Sequence, residues 1–359
     1  MLKLDRWLLT TLVMMAMLTG NVWGQAIDKE GDALEAALLE RASKVVGPTD
    51  FANSCVECHA AEVDAWRNTK HFATYAEMHR TEEAREIIRA LGGRSIKRDA
   101  MCLQCHYSSV ENNGRLRAMW GISCESCHGQ AEEWGPAHAL VGGEEGAQQM
   151  TPGESSELET PEQREARLTQ AASQGMIHSG MIYHIATNCF GCHTVPDEQL
   201  VNEGGHQAGS DFDLVAWSQG EVRHTFLSSS DGHTNQPPTA ERKRVLYVVG
   251  VLVDMEFTLR NLAKSTEEGT FREAMRERAN GLQTRIDALL EAMTISEVAE
   301  VKAALPETFD TSITVDAELV QTVATAAQAF AENNDGSDLA AIDEQIPGED
   351  AYKGDVYTP

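Results

Sequence analysis

Residues 102–128 read CLQCHYSSVENNGRLRAMWGISCESCH, a stretch that begins and ends on the pattern Cys-x-x-Cys-His. The same pattern recurs as CVECH at 55–59 and CFGCH at 189–193, so the chain has four copies. Eight cysteines are present and every one lies in a copy: Cys55 and Cys58, Cys102 and Cys105, Cys124 and Cys127, Cys189 and Cys192. An even cysteine count in an exported chain ordinarily points to disulfides. Neither disulfides nor zinc sites, however, require a histidine directly after each second cysteine. The pattern does have a chemical explanation. Two thiols three positions apart can both add to the vinyl groups of one haem, and the adjacent histidine then reaches the iron from one face. The reading is four covalently held haem c groups, with His59, His106, His128 and His193 as proximal iron ligands.

Cys102 and Cys124 are 22 positions apart, so a short tether brings the two middle groups close together. A chain of 359 residues that buries four porphyrins cannot keep them in separate domains, and a contiguous array within one fold is expected.

The second axial position separates a wire from a catalyst, because iron between two histidines is closed and an open sixth position binds a substrate. Eight histidines remain for four places: His71, His79, His138, His178, His184, His206, His224 and His233. His71 falls in AAEVDAWRNTKHFATYAEMHR, which reads as one helix leaving the first motif, with Trp66, Phe72 and Tyr75 as apolar contacts. His138 follows His128 by ten residues in a Gly-Pro loop. His206 in GGHQAG and His224 in GEVRHTF come after the last motif, where glycine allows backbone to approach a flat ring closely. The 13 methionines show no comparable placement and read as core filling or leader.

The segment from Cys55 to His193 resembles the tetrahaem cytochrome c-554 family in its motif order, in Trp66 and His71 after the first motif, and in CESCHG followed by His138. That family accepts electrons from hydroxylamine oxidation in ammonia oxidisers, and related modules occur in larger multihaem reductases and extracellular cytochrome filaments. The resemblance implies that His71 and His138 are distal ligands, each serving a haem other than the one whose motif it follows. It also implies haem pairs stacked in parallel and at right angles. In the family the haem of the second motif lacks a sixth protein ligand, which would leave the iron held by His106 open. This chain offers more histidines downstream, and His206 and His224 are the choices for further distal ligands, with His79 in reserve. His178, His184 and His233 read as structural or surface residues.

Outside the motifs, Lys3 and Arg6 precede an apolar run from Trp7 to Leu18, and Gly24 closes a segment that reads as a secretory signal peptide over 1–24. No later stretch has the roughly 20 apolar residues of a membrane span. The expected organisation is a tetrahaem domain over 25–236, a helical region over 237–335 and an acidic, unordered tail over 336–359. Helical spacing runs through 32–44 and through TEEAREIIRAL at 81–91. Residues 141–160 read as an exposed acidic loop before a helix that begins near Pro161. ERKRVLYVVGVLVDMEFTLRNLA and TFREAMRERANGLQTRIDALLEAM form a helical hairpin, and 315–331 completes a bundle. That bundle serves either as a lid over haem edges or as a docking surface.

The fold class is mainly α, a multihaem cytochrome c fold with little β structure. A net charge of −27 argues against nucleic acid and anionic membrane surfaces as partners and favours redox proteins, basic ones among them; it also serves solubility. An oligomer is compatible with the sequence. No phosphate loop or nucleophile motif appears. The expected function is electron transfer outside the cytoplasm through mostly bis-histidine haems. Two alternatives stand: an oxidoreductase acting on a small nitrogen compound at a five-coordinate haem, and a subunit of a cytochrome filament.

Overall fold

The structure is a computed structural model that describes residues 31–49, 54–149, 158–229 and 232–359. The leader expected at 1–24 lies outside the described residues. The chain is mainly helical, as its periodicity predicts, and the one sheet found is a two-stranded hairpin. That hairpin is made by the stretch quoted above. Helix α5 (Ala100–His106) carries the second motif, strands β1 (Ser108–Glu111) and β2 (Leu116–Trp120) pair antiparallel, and helix α6 (Cys124–His128) carries the third. Asn113 and Gly114, at φ 54° and 75°, supply the left-handed pair that a tight hairpin turn needs. Ser108 at the base accepts from Ser123 N at 2.9 Å and lies 2.8 Å from Ser126 Oγ, so the two motif helices are tied at one end.

Among the described residues, four α-helices precede this unit. Helix α1 (Gly31–Ala42) buries Leu34 and Leu38 against Cys102, Leu103 and Tyr107. The segment expected as one helix from 60 to 80 is broken into α2 (Ala60–Arg67) and α3 (Lys70–Glu77). The cause is local: Asn68 returns its amide to the Asp64 carbonyl, and the buried Thr69 takes an extended backbone and accepts from Phe72 N to cap the second helix. Helix α4 (Glu82–Ala90) is capped by Thr81, whose hydroxyl accepts from Ala84 N.

After α6, helix α7 (Ala131–His138) contains the segment expected as a Gly-Pro loop. Pro136 sits inside it and forgoes only the bond to the Glu132 carbonyl near the first turn, so the helix survives to His138. Part of the expected acidic loop is a short helix, α8 (Gly143–Gln149). Thr160 and Gln163 form a reciprocal capping box at the start of α9 (Pro161–Ser173). The fourth motif ends α10 (Ile182–His193), followed by α11 (Glu198–Asn202) and α12 (Leu214–Ser218).

Four helices complete the chain: α13 (Ala240–Lys264), α14 (Thr270–Ala292), α15 (Ser296–Ala304) and α16 (Ala317–Asn333). The run from Val245 to Val253 is apolar on every face, and α13 is accordingly buried all round. It is the axis of the largest core, which also takes Ile182, Ala186 and Phe190 from α10 and Phe330 from α16. This core runs across the boundary expected at 236, because the helix bearing the fourth motif packs directly on α13. The late helices therefore form the wall behind that motif.

Residues 336–359, expected as an unordered tail, are folded onto the core. Arg244 grips Asp343 with two bonds of 2.7 and 2.8 Å and reaches the Gly336 carbonyl, while Leu339 and Ile342 are buried. Lys353 is held at both backbone groups, donating to Ala216 O and accepting from Glu221 N. Replacing Ile342 by alanine is expected to cost about 2 kcal/mol, the low end for a buried isoleucine because this edge of the core can partly collapse. The shift of the guanidinium unfolding midpoint measures it; no shift would show that the tail contributes nothing.

Candidate haem-binding site

Each motif is placed by its own local device. Cys55 to Glu57 make one 3-10 turn, and His59 heads α2. Asp99 caps α5 by accepting from Met101 N at 3.0 Å. In α6 the buried Glu125 accepts from Val46 N, Gly47 N and Ala131 N at 2.7 to 2.9 Å, so the segment ahead of the first motif is clamped to the third. Gly129 has φ 91°, and a Cβ there would sit 2.2 Å from Gly175 O; only glycine lets the 175–177 segment reach His128. A Cβ on Gly121 would fall 1.9 Å from the His71 carbonyl, so the backbone after β2 supports α3 directly.

The eight histidines chosen from the sequence face one another in four pairs. Ring centres are 5.8 Å apart for His59 and His138, 6.3 Å for His71 and His193, 6.2 Å for His106 and His206, and 5.9 Å for His128 and His224. An imidazole nitrogen bound at about 2.0–2.1 Å puts the metal about 3.1 Å from the ring centre, so rings on opposite sides of one ion have centres about 6.2 Å apart. The observed separations match that figure. His71 and His138 each face a histidine of a motif other than the one they follow. The remaining histidines lie elsewhere: His178 accepts from Gly180 N, His184 packs edge-on to Tyr183, His79 sits among Arg80, Arg85 and Lys97, and His233 is exposed.

Hydrogen bonds decide which ring nitrogen is free. The Nδ1 atoms of His128, His206 and His224 lie 2.7 to 2.8 Å from the carbonyls of Ile177, Gln207 and Val222. A carbonyl can only accept, so Nδ1 carries the proton and Nε2 keeps its lone pair for a metal. His193 Nδ1 is 3.3 Å from Ser210 Oγ, and His59 Nδ1 is 3.8 Å from the Glu62 carboxylate. Burial holds His106, His128, His138 and His193 down at about 4, with neighbouring histidines adding to the effect, so these rings are neutral at pH 7. The neutral ring is the form that binds a metal.

Sulfur placement argues against a thiolate metal site. Burial pushes the Cys102 thiol up to about 12 and the Cys127 thiol to about 11, while Cys124 beside Cys55 and Cys105 beside Cys192 lower the Cys55 and Cys192 thiols. Among the described residues no group of three or more His, Cys, Asp or Glu side chains is arranged to hold a bare ion. A histidine pair supplies two ligands, so an ion between the rings needs a macrocycle for its other positions. A paired CxxC beside each histidine pair fits a haem c. Sulfurs of different motifs also bear on one another: Cys55 on Cys124, Cys105 on Cys192, and Cys127 on Cys189. Asn188 ties α10 to α6 through the Cys127 carbonyl at 2.8 Å.

Several supporting residues were not singled out from the sequence. Glu62 was accessible there, since it follows His59 at helical spacing and can reach it. Ser210, the Ile177 carbonyl and Arg278 reach the histidines only through the tertiary fold.

Comparison with known proteins bears on the first three motifs most directly. Residues 54–129 match the family described as cytochrome c554 and c-prime, so that stretch is cytochrome c-554-like. Cytochrome c-554 of Nitrosomonas europaea is 22% identical over 154 residues, covering 41% of this chain and 57% of that protein. The chain thus spans little more than half the length of that relative. No solved structure matches. The family match implies haem c, with its iron, bound covalently in this segment. No helix among the described residues is long and apolar enough to cross a membrane.

Proposed function

We propose that the chain is an exported tetrahaem c-type cytochrome that carries electrons between redox proteins through four bis-histidine haems. The observation that carries this reading is the set of four histidine pairs, each joining a motif histidine to one from a distant segment. Each haem would be held by Cys55 and Cys58 with His59 and His138, by Cys102 and Cys105 with His106 and His206, by Cys124 and Cys127 with His128 and His224, and by Cys189 and Cys192 with His193 and His71. Haem supplies one-electron chemistry at iron. The chain's own residues hold the rings, set their tautomers and keep water from the buried ones. The leader-like sequence at 1–24 supports export.

The mutual influence of the sulfurs, together with the Asn188 bond to the Cys127 carbonyl, supports a single row, in which the first motif adjoins the third, the third the fourth and the fourth the second. With a second histidine beside every motif, the carrier reading is favoured over catalysis at an open iron. In particular, His206 stands where the related family leaves the second motif's iron open.

The test is a joint measurement on the purified protein. Its mass should exceed that of the polypeptide by four haems, its ferric spectrum should be wholly low spin, and the reduced form should bind no carbon monoxide. A mass equal to the polypeptide alone, or carbon monoxide bound one to one, would end this reading.

A further inference from the structure

The proposed row of motifs ends at the second, on which the fourth bears through Cys192. Around that end the surface charge changes sign. The whole chain carries −27, yet between Arg80 and Arg117 eight lysines and arginines outnumber five acidic residues. Part of this charge converges on one spot. Lys97 Nζ lies 3.6 Å above the centre of the Tyr75 ring and 5.7 Å from that of Tyr107. Arg80 bears on Lys97, and Arg80, Arg85 and Lys97 all bear on His79. Tyr107 follows the ligand His106 directly and lies beside Cys102. Arg80, Arg85 and Tyr75 are exposed and Lys97 is half-buried.

Several arginines elsewhere are matched by carboxylates. Arg167 pairs with Glu159, Arg244 with Asp343, Arg278 with Asp254 and Arg285 with Asp213. Among the described residues Arg80, Arg85 and Lys97 form no ion pair. Three neighbouring cations without a carboxylate repel one another, and burial together with Arg80 lowers the Lys97 ammonium. Folding alone gives no reason to gather them in so acidic a chain, whereas an anionic partner would relieve the repulsion.

We propose that the surface formed by Arg80, Arg85 and Lys97 around the Tyr75 ring docks an acidic redox protein at the haem held by Cys102 and Cys105. The proposal rests on the four-haem reading and names its terminal exchange point. At physiological salt the screening length is about 8 Å, so a partner at this face feels the local cations more than the distant acidic body. Exposed tyrosine and arginine are also the residues that protein interfaces favour, which points to a protein partner more than to a lipid surface. The step transfers one electron between that haem's iron and the partner's redox centre; one is oxidised, the other reduced, and no bond or proton moves.

Hexacyanoferrate(III) is a suitable anionic probe, since each ion takes one electron from the fully reduced protein. The variant Arg80→Glu/Arg85→Glu/Lys97→Glu is compared with Lys243→Glu/Lys264→Glu/Lys302→Glu, which changes the net charge equally at distant positions. At low ionic strength the first variant should be oxidised about tenfold more slowly than the parent and the second within about twofold of it, with the difference gone at about 0.5 M salt. Equal rates for parent and first variant, or equal losses in both variants, overturn the proposal. So does an unchanged rate with vesicle binding, if the parent sediments with phosphatidylglycerol vesicles and the first variant does not. Haem content and spin state are measured on each protein beforehand, so failure of the four-haem reading is seen separately.

Discussion

Replacing His206 by alanine is expected to change a protein that binds no carbon monoxide into one that binds a single equivalent. His206 stands opposite His106 with ring centres 6.2 Å apart, and its Nδ1 is turned to the Gln207 carbonyl at 2.8 Å, which leaves Nε2 for iron. The ring lies in a loop after α11, half-buried, so its loss should cost little stability while removing one axial ligand outright. One of four irons should become high spin, read from the ferric spectrum and from carbon monoxide titration of the reduced form. His79→Ala serves as the control, because His79 sits among Arg80, Arg85 and Lys97 and should leave all four irons low spin. If His206→Ala stays low spin and inert to carbon monoxide, another group closes that iron and the assignment is wrong.

That outcome bears on the role of the loop that carries His206. On the proposed reading, one histidine in a glycine-rich loop, HQAG after two glycines, decides whether the second motif's iron can meet a small molecule. The same substitution should therefore create the open site that the catalytic alternative needs.

The motifs were legible in the sequence because thioether attachment is a local requirement: two thiols and a histidine in five consecutive residues. Helix α14 was legible for a similar reason, since burial of one face imprints its period on the residues from Phe271 to Leu289. Which histidine faces which motif was not legible. His71 lies 122 positions before its partner His193, and only the packing of α3 against Gly121 and of α10 against α13 brings the two together. The break at Asn68 and Thr69 was hidden because apolar spacing continues across it; the cap is a side-chain event. The tail misled through composition. Its acidic residues suggest a solvated chain, but three anchors, Leu339, Ile342 and the Asp343 carboxylate on Arg244, outweigh that average.

Removal of the Arg278 side chain, as Arg278→Met, is expected to cost about 3–5 kcal/mol at pH 7, the range for breaking a buried pair by deleting one partner. Arg278 holds Asp254 with two bonds, Nε at 2.6 Å and Nη2 at 2.9 Å, and donates from Nη1 to the Ser210 carbonyl. Asp254 lies within α13 and is 3% exposed, so without the guanidinium its charge would stand nearly alone, helped only by Thr258 and the more distant Arg285. Burial already holds this carboxyl above the ordinary aspartate range, and the variant should raise it further. A carboxyl raised in the folded state keeps its proton where the unfolded chain has lost it. Stability is therefore regained as pH falls through the folded-state value, and the gain is complete below the unfolded one. The deficit of Arg278→Met should accordingly be largest near neutral pH and shrink on acidification, while Asp254→Asn/Arg278→Met should recover much of it at pH 7. Guanidinium midpoints across pH read both effects. Because Ser210 also touches His193 at 3.3 Å, the same variant should move the potential of the haem bound there, which the double variant need not restore. A deficit under about 1 kcal/mol, or one flat with pH, would show that Asp254 is not held charged by Arg278 and that the wall behind the fourth motif is stabilised in some other way.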